Sequence, residues 1–188
     1  MIKRKDFYFK KAKKEGFLAR SAYKLIDLNR KYNLIRKNSD VLDIGCSPGS
    51  WVQVCLKLNV RRIVGIDIEK AKIQDNKFEF FNKDVNEIDV GSLGKFDVVL
   101  SDISPKTKGF FDAEESVDLS RKAWNVAKKV LKPEGNFLCK VFQGAEFDEF
   151  SREVRKYFSF FKISKPKASR KESREMYLIG KDFLGNNL

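Results

Sequence analysis

The chain contains no histidine. That removes histidine bases, histidine-ligated metals and a Ser-His-Asp triad from its repertoire. Cysteine is scarce: Cys46, Cys55 and Cys139 form an odd set with no C-x-x-C pair, which argues against a disulfide framework and against structural zinc. No apolar run reaches the roughly 18–20 residues of a membrane span, and no signal-peptide core follows the charged N-terminus. The expected setting is a reducing cytoplasm, with no membrane contact. Repeats and Pro/Gly linkers are also missing, so residues 1–188 read as a single domain.

Positive charge, by contrast, is in excess. Thirty-nine Lys and Arg against 26 Asp and Glu leave +13, which calls for a polyanionic partner. Nine of the basic residues lie within the first 24, interleaved with Phe7, Tyr8, Phe9 and Phe17. Cations neutralise phosphates and aromatic faces stack on unpaired bases, so residues 1–20 or so read as a nucleic-acid-binding arm. A second basic run, at 162–174, includes Lys165, Lys167, Arg170 and Lys171.

Short apolar runs bounded by turn residues fall at 41–44, 62–67, 79–81, 96–101, 136–141, 160–164 and 176–179. Helical stripes lie between or before them. Ala22, Leu25, Ile26 and Asn29 mark a helix over 21–32, and Trp51, Val52, Cys55 and Leu58 mark a second. Val117, Trp124, Ala127, Val130 and Leu131 fit a longer helix ended by Pro133 and Gly135; Phe147, Phe150, Val154 and Tyr157 fit another. Residues up to about Gly16 read as a polar, basic segment. The alternation predicts an α/β fold with a doubly wound, mostly parallel sheet flanked by helices. Such sheets bind ligands beyond the carboxyl ends of their strands, which singles out the loops after Ile44, Ile66, Leu100 and Val141.

The first of those loops reads Asp43-Ile44-Gly45-Cys46-Ser47-Pro48-Gly49-Ser50-Trp51. Glycines at 45 and 49 let the backbone turn tightly and approach a ligand. Asp67, 22 residues after Gly45, ends the next strand, where an acid grips two ribose hydroxyls. A dinucleotide fingerprint needs glycine where Ser47 and Ser50 stand, which disfavours NAD and a nicotinamide-dependent oxidoreductase; a P-loop is absent. The acid-led pattern resembles the first motif of Rossmann-like S-adenosylmethionine methyltransferases. On that resemblance Asp67 takes the cofactor ribose and Asp84 the adenine. Read alone, Asp84 also fits a turn or capping aspartate, and Trp51 fits either the core or the ligand.

The loop after the fourth strand carries Asp102-Ile103-Ser104-Pro105, not the Pro-Pro motif of base-amine methyltransferases, and no cysteine follows a proline. An oxygen is therefore the expected acceptor. A hydroxyl needs its proton removed, and without histidine the base is a carboxylate or a lysine of lowered pKa. Lys140 lies in the apolar run Asn136-Phe137-Leu138-Cys139-Lys140-Val141-Phe142, where a charged residue is unusual. The plainer reading is an edge-strand lysine paired with an acid.

From about Tyr8 to Lys181 the chain resembles the FtsJ/RrmJ family of RNA ribose 2′-O-methyltransferases. The matching pieces are Lys10-Lys11-Ala12-Lys13-Lys14-Glu15-Gly16, Arg20-Ser21-Ala22-Tyr23-Lys24-Leu25, the loop over 43–51, Ser101-Asp102, Lys140 and Ser169-Arg170-Lys171-Glu172-Ser173-Arg174-Glu175-Met176-Tyr177. The resemblance implies a class I methyltransferase fold with a seven-stranded sheet. It also implies a Lys-Asp-Lys-Glu tetrad at Lys24, Asp102, Lys140 and Glu175, with no metal. It assigns S-adenosylmethionine to Gly45, Pro48, Gly49, Trp51, Asp67, Asp84 and Asp102. Lys24 would help lower the pKa of Lys140, and Asp102 and Glu175 would orient the lysines and the hydroxyl. Periodicity by itself places Lys24 off the apolar face of its helix, as a solvated lysine. Two departures stand out, Ser50 where the family often has glycine and Ile103-Ser104 where it often has x-Ala; both exchange one small residue for another at the motif's small positions.

Within the family, Ser101-Asp102 and Ser173-Arg174-Glu175 look like the branch acting on large-subunit ribosomal RNA, which implies a uridine ribose there and the rRNA or 50S subunit as partner of a monomer. A tRNA anticodon-loop enzyme and a non-catalytic ribosome-assembly factor are the alternatives. The charge distribution carries its own prediction. RNA binding falls steeply as salt rises, the mark of phosphate-dominated contact; filter binding across a salt series tests it, and a flat response contradicts the basic footprint.

Overall fold

A computed structural model describes residues 4–105 and 112–185, with side chains from residue 7 onward; Lys3 of the expected arm lies outside the described residues. Seven strands form one sheet: β1 (Asp40–Ile44), β2 (Arg62–Ile66), β3 (Phe78–Phe81), β4 (Phe96–Ser101), β5 (Leu131–Phe142), β6 (Phe158–Ser164) and β7 (Glu175–Phe183). Their order is β3-β2-β1-β4-β5-β7-β6, with β7 antiparallel to both of its neighbours and the other pairings parallel. This is the Rossmann-like sheet that the alternation predicts. All five residues of β1 are buried because helices cover both faces, so its sequence shows an apolar run without alternation.

Helices α1 (Arg4–Lys14), α2 (Ala22–Tyr32) and α3 (Ser50–Lys57) pack on one face, around Leu25, Val52 and Leu138. Helices α4 (Asp112–Val130) and α5 (Phe147–Arg155) pack on the other, around Trp124, Phe137 and Phe150. The winding reverses between β1 and β4, which are adjacent in the sheet, and their carboxyl ends bound the crevice where such folds bind ligands.

Three local readings need correction. The basic N-terminal segment is helical: α1 seats Ala12 in the core, rests Tyr8 against Tyr23 at 5.5 Å between rings, and leaves Phe7 and Phe9 exposed. Its buried stripe is too narrow to show as periodicity among so many lysines. Leu131 begins β5 instead of ending α4, because it pairs with Phe96; the next ladder pair is Val98 with Asn136, and residues 132–135 bulge between them. Tyr157 lies beyond the end of α5.

Among the described residues no helix is long and apolar enough to cross a membrane, no group of three or more acids and cysteines is placed to hold a metal ion, and the three cysteines are free and buried. Trp124 is fully buried, with the rings of Phe137, Tyr157, Phe158 and Phe183 at 5.1 to 6.4 Å. Trp124→Ala is expected to cost about 3–5 kcal/mol through lost contacts and the cavity left behind. Urea unfolding followed by circular dichroism measures it.

Candidate active site

The loops after β1 and β4 meet at the reversal of the winding. Gly45 adopts φ +80°, and a Cβ there would lie 2.8 Å from the Ile103 N and Cα atoms, so glycine alone lets the two loops touch. Gly49 opens α3 at φ +113°, where a Cβ would come within 2.5 Å of Ile73. Asp67 ties the first loop to the end of β2: its Oδ2 accepts the Ser47 N–H and its Oδ1 the Glu69 N–H, both at 2.8 Å. Asp84 caps the 3-10 turn Val85–Glu87 through Oδ1, which accepts the Asn86 backbone N–H at 2.8 Å and its Nδ2 at 2.7 Å. The capping reading of Asp84 is therefore realised by one oxygen, while the residue also lines the cavity beside it.

That cavity has a volume of about 370 Å³. Its wall includes Gly45, Ser47, Asp67, Asp84 and Asp102, with Ile68, Val85, Ile103 and Leu119 as apolar panels. Pro48, Gly49 and Trp51 are not on this wall. Trp51 is buried, donates its Nε1–H to the Ser21 carbonyl at 3.0 Å and packs 6.2 Å from the Tyr177 ring, so the structure gives it the core role. Beneath the loop Asp43 is fully enclosed, and neither carboxylate oxygen has a hydrogen-bond partner. Burial, then the charges of Asp102 and Asp67, push its carboxyl well above the ordinary range.

The four tetrad positions converge at the β4–β5–β7 side of this crevice. In the β5–β7 ladder Lys140 lies opposite Tyr177 and Phe142 opposite Glu175. Side chains alternate faces along a strand and opposite residues share one, so Lys140, Tyr177 and Glu175 all point to the α2 side. There Lys24 Nζ donates to Glu175 Oε2 at 2.5 Å. Lys140 Nζ donates to the Asp102 carbonyl at 2.7 Å and pairs with Asp102 Oδ1 at 3.2 Å. Lys24, Lys140 and Glu175 are 8%, 4% and 7% exposed, so Lys24 is not the solvated lysine its helical position suggests. Glu175 at the base of α2 makes that burial possible.

Two neighbours complete the cluster, and nothing in periodicity or charge marks them. Tyr177 donates its hydroxyl to Asp102 Oδ1 at 3.0 Å, and Ser169 donates its hydroxyl to Glu175 Oε1 at 2.7 Å. Burial and the nearby Asp102 and Glu175 charges hold the Tyr177 phenol well above its ordinary value, which keeps it a donor. For Asp102, burial opposes ionisation, but the charges of Lys140 and Lys24 and the bonds from Lys140 and Tyr177 prevail. Its carboxyl sits below the ordinary value.

The FtsJ-like methyltransferase family matches residues 17–183. The chain belongs to that family. It is 45% identical to a ribosomal RNA large subunit methyltransferase E of Archaeoglobus fulgidus, over 97% of this chain and 98% of the relative. A relative of the same name from Methanothrix thermoacetophila is 43% identical, over 96% of this chain and 73% of the other. Among solved structures, a Plasmodium falciparum chain that carries the name ribosomal RNA methyltransferase superposes with a TM-score of 0.78 at 28% identity, covering 90% of this chain and all of that one.

FtsJ-like methyltransferases use S-adenosylmethionine, and so does this one. The cavity fits that cofactor chemically. Its charged lining is Asp67, Glu69, Asp84, Asp102 and Glu115 against Lys83, an acidic wall in a strongly basic protein, suited to a sulfonium and an ammonium. The apolar panels suit a purine face.

Because the folded carboxyl of Asp102 is the more acidic, its contribution to stability is present above the ordinary carboxylate range. It is lost as pH falls through the lowered value. Asp102→Asn is expected to destabilise by about 3–5 kcal/mol at neutral pH, since it leaves Lys140 buried without its counterion. The deficit narrows as pH falls through that lowered value, where the wild-type carboxyl itself becomes protonated. Unfolding midpoints measured from pH 2 to 8 check both statements.

Proposed function

We propose that this methyltransferase transfers the methyl of S-adenosylmethionine to the 2′-hydroxyl of a uridine ribose in large-subunit ribosomal RNA. One observation carries the reading. Two lysines and two acids, drawn largely out of water, gather beside an acidic cavity and pair as Lys24–Glu175 and Lys140–Asp102. A non-catalytic assembly factor needs neither the pairs nor the cavity. The names of the Archaeoglobus and Methanothrix relatives support ribosomal RNA as the substrate class.

S-adenosylmethionine supplies an electrophilic methyl group. Asp67 and Asp84 bind its ribose and adenine, Gly45 lets the backbone approach it, and Pro48, Gly49 and Trp51 act by shaping and backing the loop. Lys140 meets the ribose hydroxyl: two of its three N–H donors are engaged by Asp102, which leaves one for the substrate. As the ammonium it steadies the charge that develops on O2′; to take the hydroxyl proton it must first give up that third proton and offer the lone pair of the amine. Lys24 is directly neutralised by Glu175, so it acts by fixing geometry more than by repelling Lys140. Holding acceptor and methyl in line contributes up to roughly 7–11 kcal/mol. The exposed lysines of α1 and of 162–174 grip the RNA phosphates, while Phe7 and Phe9 offer faces for unpaired bases.

The test is transfer of labelled methyl to large subunits, naked ribosomal RNA and tRNA, each from cells lacking this protein, with the product examined for alkali resistance at the modified link. Alkali-resistant label in subunits or ribosomal RNA is expected. Label in tRNA alone overturns the substrate, and no label in any RNA favours the assembly factor. Lys140→Ala is expected to lower turnover by about 10²–10⁴-fold, the span of proton-transfer catalysis, with cofactor affinity retained in calorimetry. An active alanine variant removes Lys140 from the chemistry.

A further inference from the structure

Residues 165–174, between β6 and β7, carry the second basic run, and they are built more tightly than a phosphate-gripping loop requires. Lys165, though exposed, bonds within its own loop, donating to the carbonyls of Lys171 at 3.0 Å and Ser173 at 2.5 Å. The Lys167 N–H donates to Asp27 Oδ2 at 3.0 Å, which pins the loop to α2, the helix that bears Lys24. Ala168 is buried beneath it. Between these anchors Ser169 donates to Glu175 Oε1, while Lys24 holds Glu175 Oε2.

We propose that Ser169 is a positioning residue for methyl transfer, fixing Glu175, and through it Lys24, only when the basic loop 165–174 is seated on α2. The inference rests on the 2′-O-methylation reading and extends it to how RNA docking reaches the reacting groups.

A single contact to Lys24 leaves the Glu175 carboxylate free to swing about that one bond. A second donor on the other oxygen fixes the plane of the group. Transfer that depends on alignment is sensitive to such freedom, since a misplacement of about 1 Å costs on the order of 10²-fold. The loop also joins this clamp to the RNA. Arg170 follows Ser169 directly and is exposed on the loop's outer side. Its guanidinium suits an RNA phosphate, which it can hold by two parallel N–H donors. Phosphate on Arg170 then keeps the loop down and Ser169 against Glu175.

Ser169→Ala and Ser169→Thr, made in the full chain, separate this role from a merely structural one. Turnover and KM for RNA are measured with the best RNA substrate, together with cofactor affinity and thermal midpoint. The alanine variant is expected to lose about tenfold in kcat, the scale of one hydrogen bond to a charged group. Its KM for RNA, cofactor affinity and midpoint stay at wild-type values, and threonine, which keeps the hydroxyl, restores most of the rate. An alanine variant with wild-type kcat overturns the inference, as does one whose loss appears only in KM or in a lowered midpoint, or is not restored by threonine. If the wild-type protein methylates no RNA, the reading above falls together with this one. If it does so and Ser169→Ala is unimpaired, this inference alone falls.

Discussion

Lys140 facing Tyr177 across the β5–β7 ladder is the contact on which the site depends. Because β7 runs antiparallel and enters the sheet between β5 and β6, it brings Glu175 and Tyr177 to a strand whose parallel neighbour, β4, is followed directly by Asp102. A slip of one residue would turn Glu175 and Tyr177 onto the opposite face, among Trp124, Phe137 and Phe150 and away from Lys24 and Lys140. The register is therefore held by charge on one face and by apolar burial on the other. Gly180 adds a steric pin: a Cβ there would approach the Phe158 ring to 2.5 Å, so β6 and β7 close only around a bare backbone.

Charge of opposite sign is divided between two surfaces of one small protein. The chain as a whole is strongly basic, and its exposed lysines on α1 and along 162–174 present that sign to solvent. The cavity at the switch point is acidic. A polyanion drawn in by the outer field is not drawn into the cavity, and a small cation finds its complement only there. At physiological salt the outer attraction is screened beyond about 8 Å, while charges inside the crevice are screened much less. Two ligands of opposite charge are thus sorted to adjacent places, with Asp102 and Lys140 at the boundary between them.

The strands were the most legible part of the sequence. The runs at 41–44, 62–67 and 96–101 fall on β1, β2 and β4 because a strand covered on both faces must be apolar throughout. Position along the chain also exposed Lys140, a charge inside such a run. Other features depend on distant partners and left no local trace. Lys24 looked solvated because its counterion is 151 residues away. Leu131 completed a helical stripe, yet its backbone pairs with Phe96 in the sheet. Trp51 had two possible fates, and only the approach of Ser21 and Tyr177 selects the core. Ser169 and Tyr177 lay within a recognisable motif, but a hydroxyl has no periodicity, and its role appears only with its acceptor.

The buried pairs are better understood as geometry than as stability. Withdrawing an ion pair from water costs about as much as the pair returns, and a well-packed apolar replacement is often no less stable. The aromatic cluster around Trp124 anchors the opposite face of the sheet mainly by apolar contact, with Lys128 laid over the Trp124 ring at 5.6 Å. What the ions provide is orientation. Every partner in the network Ser169–Glu175–Lys24 and Tyr177–Asp102–Lys140 constrains the next by a directional bond, across two strands, the first turn of a helix and the loops that carry Ser169 and Asp102. Asp43 fits the same logic from below. Burial and the charges of Asp102 and Asp67 push its carboxyl well above the ordinary range, which opposes a third negative charge at the strand ends. Packing and directional bonds thus meet on one sheet, and at Asp102 the ion that orients the chemistry is also one whose loss leaves a buried charge unpaired.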